Sequence, residues 1–250
     1  MEILIVGFGV VGKNIAKIFP SADIFDPYIN GCMELKKKDY DIAIICVPTP
    51  KNEDGSCNFS IVESVIEKHN PKVFHIRSTI PPGTTKMLQE KYSKKCVFSP
   101  EYYGGTIHAN VLHHNFLTLG CVDGRHGDGV LIANAYKKVF PADFEYVFTD
   151  STSAEVAKYM ENCGLAMIVS FVNEFAAICE KTGVEIDEVR ELWLKDRRFS
   201  RYHTLFYPDQ PGWKSICFDK DIPAMIHYAK EKGLQVPILE SIMKYQRITD

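Results

Sequence analysis

The sequence predicts an α/β fold in which a doubly wound parallel sheet is followed by an all-helical segment, and three observations predict it. Short apolar runs of strand length alternate with helical patterns through residues 1–150. Strand patterns then stop near Ser151, and helix signals fill 151–250. Alternation of the first kind builds a parallel sheet with crossover helices, whereas an unbroken series of helices needs its own core. The expected domains are therefore 1–150 and 151–250.

Composition narrows the function classes. With 46% apolar and 24% charged residues, the chain of 250 reads as an ordinary soluble protein. A net charge of -3, from 29 basic and 32 acidic residues, supplies no field for nucleic acid or a membrane surface. No apolar run approaches a membrane span, and Met1 leads straight into the first strand with no room for a leader, so a cytoplasmic setting is expected. The eight cysteines form no Cys-x-x-Cys pair, which argues against structural zinc and against a disulfide scaffold. The pair His113 and His114 reads as loop rather than metal site, and no metal is expected.

The first element is the most informative. In the stretch from Glu2 to Lys13, an apolar run over 3–6 is followed by Gly-Phe-Gly-Val-Val-Gly at 7–12 and then by a helical pattern. Such a strand, tight turn and helix N-terminus offers backbone N–H groups to an anion, and glycines let a pyrophosphate approach them. Gly7, Gly9, Val10, Val11 and Gly12 are thus candidate cofactor-binding residues of a Rossmann-like fold. The next strand, 22–25, ends on Asp26, placed to accept both ribose hydroxyls and to repel a 2′-phosphate. NAD is the expected cofactor, although Asp26-Pro27 also reads as an ordinary turn.

Further strands are expected at 41–47, 72–76, 96–98, 116–120 and 146–148, with helices over 60–68, from 84, and over 128–138. The strand ends carry Val47, Pro48 and Thr49, then Ser78 and Thr79, then Glu101, on the side where open α/β sheets bind ligands. Thr79 and Glu101 would face a nicotinamide there, or serve only as caps. From 151 the pattern gives helices over 151–182, 186–194, 222–232 and 237–248, with an aromatic and basic stretch over 195–220. The long helix is apolar on most faces, which calls for a partner and predicts a homodimer through 151–182.

Two clusters in this half carry chemistry. Lys158 and Asn162 are four apart and share a helix face, where an ammonium and a carboxamide can hold a substrate oxygen as its charge changes. The alternative is a surface pair between Glu155 and Lys158. Cys217 is followed by Lys220 and Asp221, and a thiol beside an ammonium is an available nucleophile. The plain reading of Cys217 is a core residue.

Together these residues resemble the UDP-glucose/GDP-mannose dehydrogenase family. The matching pieces are Gly-Phe-Gly-Val-Val-Gly at 7–12, Asp26, Val-Pro-Thr-Pro at 47–50, Ser-Thr-Ile-Pro-Pro-Gly-Thr at 78–84 and Pro-Glu at 100–101. They continue with Ala-Glu-Val-Ala-Lys-Tyr-Met-Glu-Asn at 154–162, Ser-Phe-Val-Asn-Glu at 170–174 and Pro-Gly-Trp…Cys-Phe-Asp-Lys-Asp over 211–221. The resemblance implies oxidation of the C6 alcohol of a nucleotide sugar to a carboxylate with two NAD. It implies that a water held by Thr79 and Asp221 takes the hydroxyl proton, that Cys217 traps the aldehyde, and that Lys158 and Asn162 stabilise its oxyanion. Glu101 would assist hydrolysis of the thioester, and Lys220 would activate the thiol or orient substrate. Gly212 and Arg201, the latter reaching into a neighbouring subunit, would complete the sugar pocket.

The chain also departs from that pattern. It ends inside what should be a connecting helix, so the family's third domain is expected to be absent. Lys214 and Ser215 stand where the family has a glycine pair before the cysteine, and Gly104 stands where a second acid is expected. Two other readings stay open: a one-step dehydrogenase of the 3-hydroxyacid or 6-phosphogluconate type that needs only Lys158 and Asn162, and a non-catalytic NAD-binding module.

Overall fold

The computed structural model describes residues 1–37, 39–102, 115–213, 215 and 217–249. Gly104, His113, His114 and Lys214, noted in the sequence, lie outside the described residues. The chain forms two compact units, Met1–Pro50 with Cys57–Lys158 and Lys51–Ser56 with Tyr159–Asp250. By compactness the division falls inside the long helix, and the loop 51–56 belongs to the second unit.

The first unit contains β1 (Ile3–Val6), α1 (Val10–Ile18), β2 (Asp23–Phe25), β3 (Ile42–Ile45), α2 (Ser60–Lys68), β4 (Val73–Ile76) and α3 (Thr84–Tyr92). It continues with β5 (Cys96–Phe98), β6 (Phe116–Cys121), α4 (His126–Tyr136), β7 (Glu145–Asp150) and the start of α5 (Ser151–Thr182). The seven strands lie in the order β2-β1-β3-β4-β5-β6-β7. All neighbours are parallel except β5 and β6, where Val97 faces Cys121 and Phe98 faces Gly120 in antiparallel register. The expected all-parallel sheet is corrected at that one step. A parallel neighbour needs a crossover of a dozen or more residues packed on the sheet, and an antiparallel one does not.

The inner strands β3 and β4 are buried along their whole length, as continuous apolar runs covered on both faces should be. Alternate side chains go to opposite cores. Ile5, Ile42 and Ile44 pack with Ile15 of α1 and Ile132 of α4, while Leu4, Ala43 and Ile45 pack with Val62 and Ile66 of α2 and Leu88 of α3. Order reverses at β1, which has β2 on one side and β3 on the other. In open α/β sheets the crevice at such a switch point holds the ligand.

The second unit contains the rest of α5, then α6 (Ile186–Trp193), α7 (Phe218–Glu231) and α8 (Pro237–Thr249). Helix α7 starts earlier than the expected residue 222. Proline favours the first turn of a helix, so Pro223 suggests a start beside it, yet Pro223 lies inside α7. The earlier start brings Cys217 to the N-cap position. Cys163, Ala166, Trp213, Ile222 and Ile242 form this unit's core.

By length and composition alone, α5 is apolar enough to cross a membrane, which corrects the expectation that no run approaches that size. Its buried stripe nonetheless carries Glu155, Lys158, Asn162, Ser170 and Asn173. Charged side chains are costly inside a bilayer, and the bonds described below give Glu155, Asn162, Ser170 and Asn173 partners within the fold. Its outer stripe exposes Met160, Met167, Phe171, Phe175 and Ile178.

Candidate active site

In the first unit the loop from β1 to α1 lies at the switch point. Gly7 has φ +89°, and a Cβ there would come within 2.8 Å of the Cys46 carbonyl oxygen at the end of β3. A Cβ on Gly12 would sit 2.0 Å from the Gly7 carbonyl oxygen. These two glycines make the turn tight and bring α1 against β1. Gly9 differs, because a Cβ there would meet nothing within 4 Å. It is the N-cap of α1, no side chain caps that end, and the first turn holds no acid. Val10, exposed, and Val11, half-buried, form that first turn with Gly12. A helix N-terminus with unclaimed amides, and a glycine leaving room above it, fits a pyrophosphate.

Asp26, at the end of β2, accepts a hydrogen bond from the Phe8 amide at 2.8 Å and from the Tyr28 amide at 3.0 Å. The turn reading of Asp26-Pro27 is thus realised, and the same carboxylate pins the glycine loop. A carboxylate offers about four lone-pair positions, so both roles are compatible with holding a ribose. Beyond β3, Val47 is half-buried, Pro48 exposed and Thr49 buried. Ser78 is buried and donates its hydroxyl to the Val47 carbonyl at 2.7 Å, joining the ends of β3 and β4. Thr79 is half-buried, and its carbonyl accepts from the Cys57 thiol at 3.8 Å.

Glu101 is buried in an ion pair with Arg77, 2.8 Å apart, both under one-tenth exposed. Sequence reasoning missed Arg77. It follows β4 directly, and Glu101 follows β5 by three residues, so only the register of these strands brings them together. The same register sets His75 Nε2 2.8 Å from Ser99 Oγ. Burial, with the Arg77 charge added, pushes His75 well below the usual histidine range, so this histidine is a neutral core residue. Lys158 is buried, its ammonium 5.2 Å from the ring centre of Tyr102. The surface pair with Glu155 does not form, because Glu155 turns to α3 instead.

In the second unit α5 organises the thiol's surroundings. Asn162 donates to Asp221 Oδ2 at 2.6 Å, and the Lys220 ammonium donates to Asp221 Oδ1 at 2.6 Å. Asp221 is 1% exposed, and a buried carboxylate is held in place by such charge-assisted bonds. An amide carries two N–H donors, and Asp221 takes one. Farther along α5, Asn173 accepts from the Gly212 amide at 2.8 Å and Ser170 from the Trp213 indole at 3.0 Å. Ser170 and Asn173 were part of a sequence motif without an assigned role. Both fasten the segment that leads to Cys217.

Cys217 is exposed at the N-cap of α7, the end of a helix at which negative charge is favoured. Burial distinguishes it from other cysteines. It pushes the Cys96 and Cys163 thiols up to about 12 and that of Cys121 up to about 11, where thiolate is scarce. No disulfide joins any of the eight cysteines. Arg201 is exposed and pairs with Glu191 at 2.5 Å, and Gly212 is half-buried with φ +81°. Among the described residues no group of three or more His, Cys, Asp or Glu side chains is placed to hold a metal.

Known proteins match this arrangement. The NAD binding domain of the UDP-glucose/GDP-mannose dehydrogenase family matches residues 30–139, and the family's central domain matches 152–247. UDP-glucose 6-dehydrogenase YwqF of Bacillus subtilis is 30% identical over 220 residues, covering 82% of this chain and 48% of that protein. The chain spans about half the length of the curated relatives it matches. Among solved structures, a UDP-glucose dehydrogenase of Pyrobaculum islandicum shares the fold with a TM-score of 0.81 at 20% identity, over 99% of this chain and 68% of that one. A 3-hydroxyisobutyrate dehydrogenase of Mycobacterium tuberculosis shares it with a TM-score of 0.74 at 15% identity, over 99% of this chain and 94% of that one. The buried residues of α5 and the thiol at the head of α7 fall within the matched central domain, the glycine loop precedes the matched NAD binding segment, and the chain belongs to the UDP-glucose/GDP-mannose dehydrogenase family.

Proposed function

We propose that this protein oxidises the primary alcohol of a sugar, carried as a nucleotide sugar, to the carboxylate through a covalent intermediate on Cys217. The observation that carries the reading is the exposed thiol at the N-terminus of α7, four residues before an Asp221 carboxylate that Asn162 and Lys220 hold. Gly7–Gly12 would hold the pyrophosphate of NAD and Asp26 its ribose, and the cofactor would supply the hydride acceptor for both oxidations. Asp221, held by Asn162 and Lys220, orients the water that takes the alcohol proton. The Cys217 thiolate adds to the aldehyde carbon, and the new oxyanion is met by Lys158 and by the second N–H of Asn162. Loss of the second hydride leaves a thioester, which water cleaves with help from Glu101, restoring the thiol. In sum, one alcohol, one water and two NAD+ give one carboxylate, two NADH and three protons.

NADH counted at 340 nm against sugar consumed, over UDP-, GDP- and unlinked sugars, tests this. Two per sugar is the expected result. One per substrate would support the simpler reading, a one-step dehydrogenase using Lys158 and Asn162, which their burial on one stripe of α5 favours. NAD binding without turnover would favour a binding module.

The working form is a homodimer in the cytoplasm, joined through α5. Phe171 and Phe175 remain 45% and 40% exposed on its outer stripe, and Phe171 stacks toward Trp193 of α6 at 5.8 Å. Aromatic surface of this kind is characteristic of an interface. Phe171→Glu is expected to turn a dimer into a monomer in light scattering, and a monomeric wild type would sink the assignment.

A further inference from the structure

Glu155 has no part in the chemistry above, yet it is fully buried and its carboxylate accepts three hydrogen bonds. These come from the Gly83 amide at 2.5 Å, the Thr85 amide at 2.8 Å and the Thr85 hydroxyl at 2.6 Å. All three donors stand at the N-terminus of α3, which has a glycine at its N-cap and no acid in its first turn. The negative partner that this helix end needs is therefore supplied by α5, 70 residues away.

The segment so anchored is the loop from β4 to α3, which carries Ser78 and Thr79. Its own means of support are few. Pro81 and Pro82 have no N–H to donate, and Gly83 takes the left-handed conformation at φ +87° that fits glycine. One end of the loop is tied by Ser78 to the Val47 carbonyl. The other end is tied by Glu155.

We propose that Glu155 is a positioning residue for the cofactor, holding the 78–85 loop in its binding conformation by capping α3 from α5. The inference rests on the reading of this loop as part of the NAD site. A purely structural cap would support the stability of α3 and leave cofactor affinity alone. A positioning cap ties the two together, and through the carboxylate it ties both to pH. Thr85 and the Gly83 amide face Glu155 from α3, and the Asp150 carboxylate faces it from β7. Burial, with a smaller push from Asp150, raises its carboxyl to about 7 against the pull of the three donors. As pH falls through that value the carboxylate takes a proton, and an acid accepts these three bonds less well than an anion.

Calorimetric titration of the full chain with NAD, at several pH values between about 6 and 8.5, tests the proposal. Glu155→Gln is expected to weaken NAD binding about tenfold at the alkaline end, the scale of one charge-assisted hydrogen bond. Wild-type affinity is expected to fall by a similar factor on acidification with a midpoint near 7, and the variant's to stay flat. In cofactor-free protein, the Gly83 and Thr85 amides are expected to exchange hydrogen faster in the variant. Thr85→Val, which removes one donor and keeps the carboxylate, guards against a misfolded Glu155→Gln and is expected to give a smaller weakening with the midpoint retained. Unchanged affinity and an unchanged pH profile in both variants, with the wild type binding NAD, would overturn the proposal alone. A wild type that binds no NAD would overturn the cofactor reading and this inference with it.

Discussion

Replacing Cys217 by alanine is expected to stop the formation of carboxylate, with the yield falling from two NADH per sugar to no more than one. The rate of acid formation should drop on the order of 10³-fold or more, the scale seen when a covalent nucleophile is removed. The expectation follows from where the thiol sits. Cys217 is solvent-exposed at the head of α7, whereas Cys163, one residue from Asn162, is buried with its thiol pushed up to about 12. A neighbouring thiol therefore has no means to take over. Mass spectrometry of enzyme quenched during turnover should find the sugar bound to Cys217 in the wild type and no adduct in the variant. Full two-NADH turnover in Cys217→Ala would sink the covalent mechanism and leave the one-step reading, for which Lys158 and Asn162 suffice. Cys217→Ser sharpens the test, since a hydroxyl keeps the shape but lacks the thiolate.

The residues that define this site differ in how visible they were in the chain. Strand β1, the glycine loop and α1 were legible because each rests on a local pattern: a short apolar run, glycines at fixed spacing, then a period near four. Helix α2 matches its expected bounds, Ser60–Lys68, and α5 its expected span. Lys158 and Asn162 were legible as residues of one helix face. What each side chain touches was another matter. Asn162 meets Asp221 at a separation of 59 residues, Glu155 meets Thr85 at 70, and Arg77 meets Glu101 at 24. Spacing reports neighbours one turn or two residues away, so a contact made by strand register or by packing of distant elements leaves no periodic trace. For the same reason Glu155 read as a possible surface partner of Lys158. The antiparallel step between β5 and β6 escaped because apolar runs do not encode direction. The start of α7 escaped because Pro223 imitates a first-turn proline.

The buried pair of Arg77 and Glu101 gives the largest expected effect on stability. Arg77→Met is expected to destabilise the first unit by about 3–5 kcal/mol, the usual result of removing one partner of a buried ion pair. The cost arises in what remains. Arg77 is 4% exposed and Glu101 8% exposed, so the carboxylate left behind loses this cation in a place shielded from most water. Scanning calorimetry should show the first unit's transition fall by about 10 °C, given a few degrees per kcal/mol for a chain of this size. The double variant Arg77→Met, Glu101→Leu separates this from lost packing, because it removes both charges and should recover much of the deficit. Function and stability then part company. The double variant is expected to fold and bind NAD while hydrolysing the thioester slowly, so that acyl enzyme accumulates on Cys217, if Glu101 assists that step. A single variant within about 1 kcal/mol of wild type would mean that water reaches the pair and that it behaves as a surface contact does. Arg77 and Glu101 follow β4 and β5, at the strand ends where open α/β sheets bind ligands.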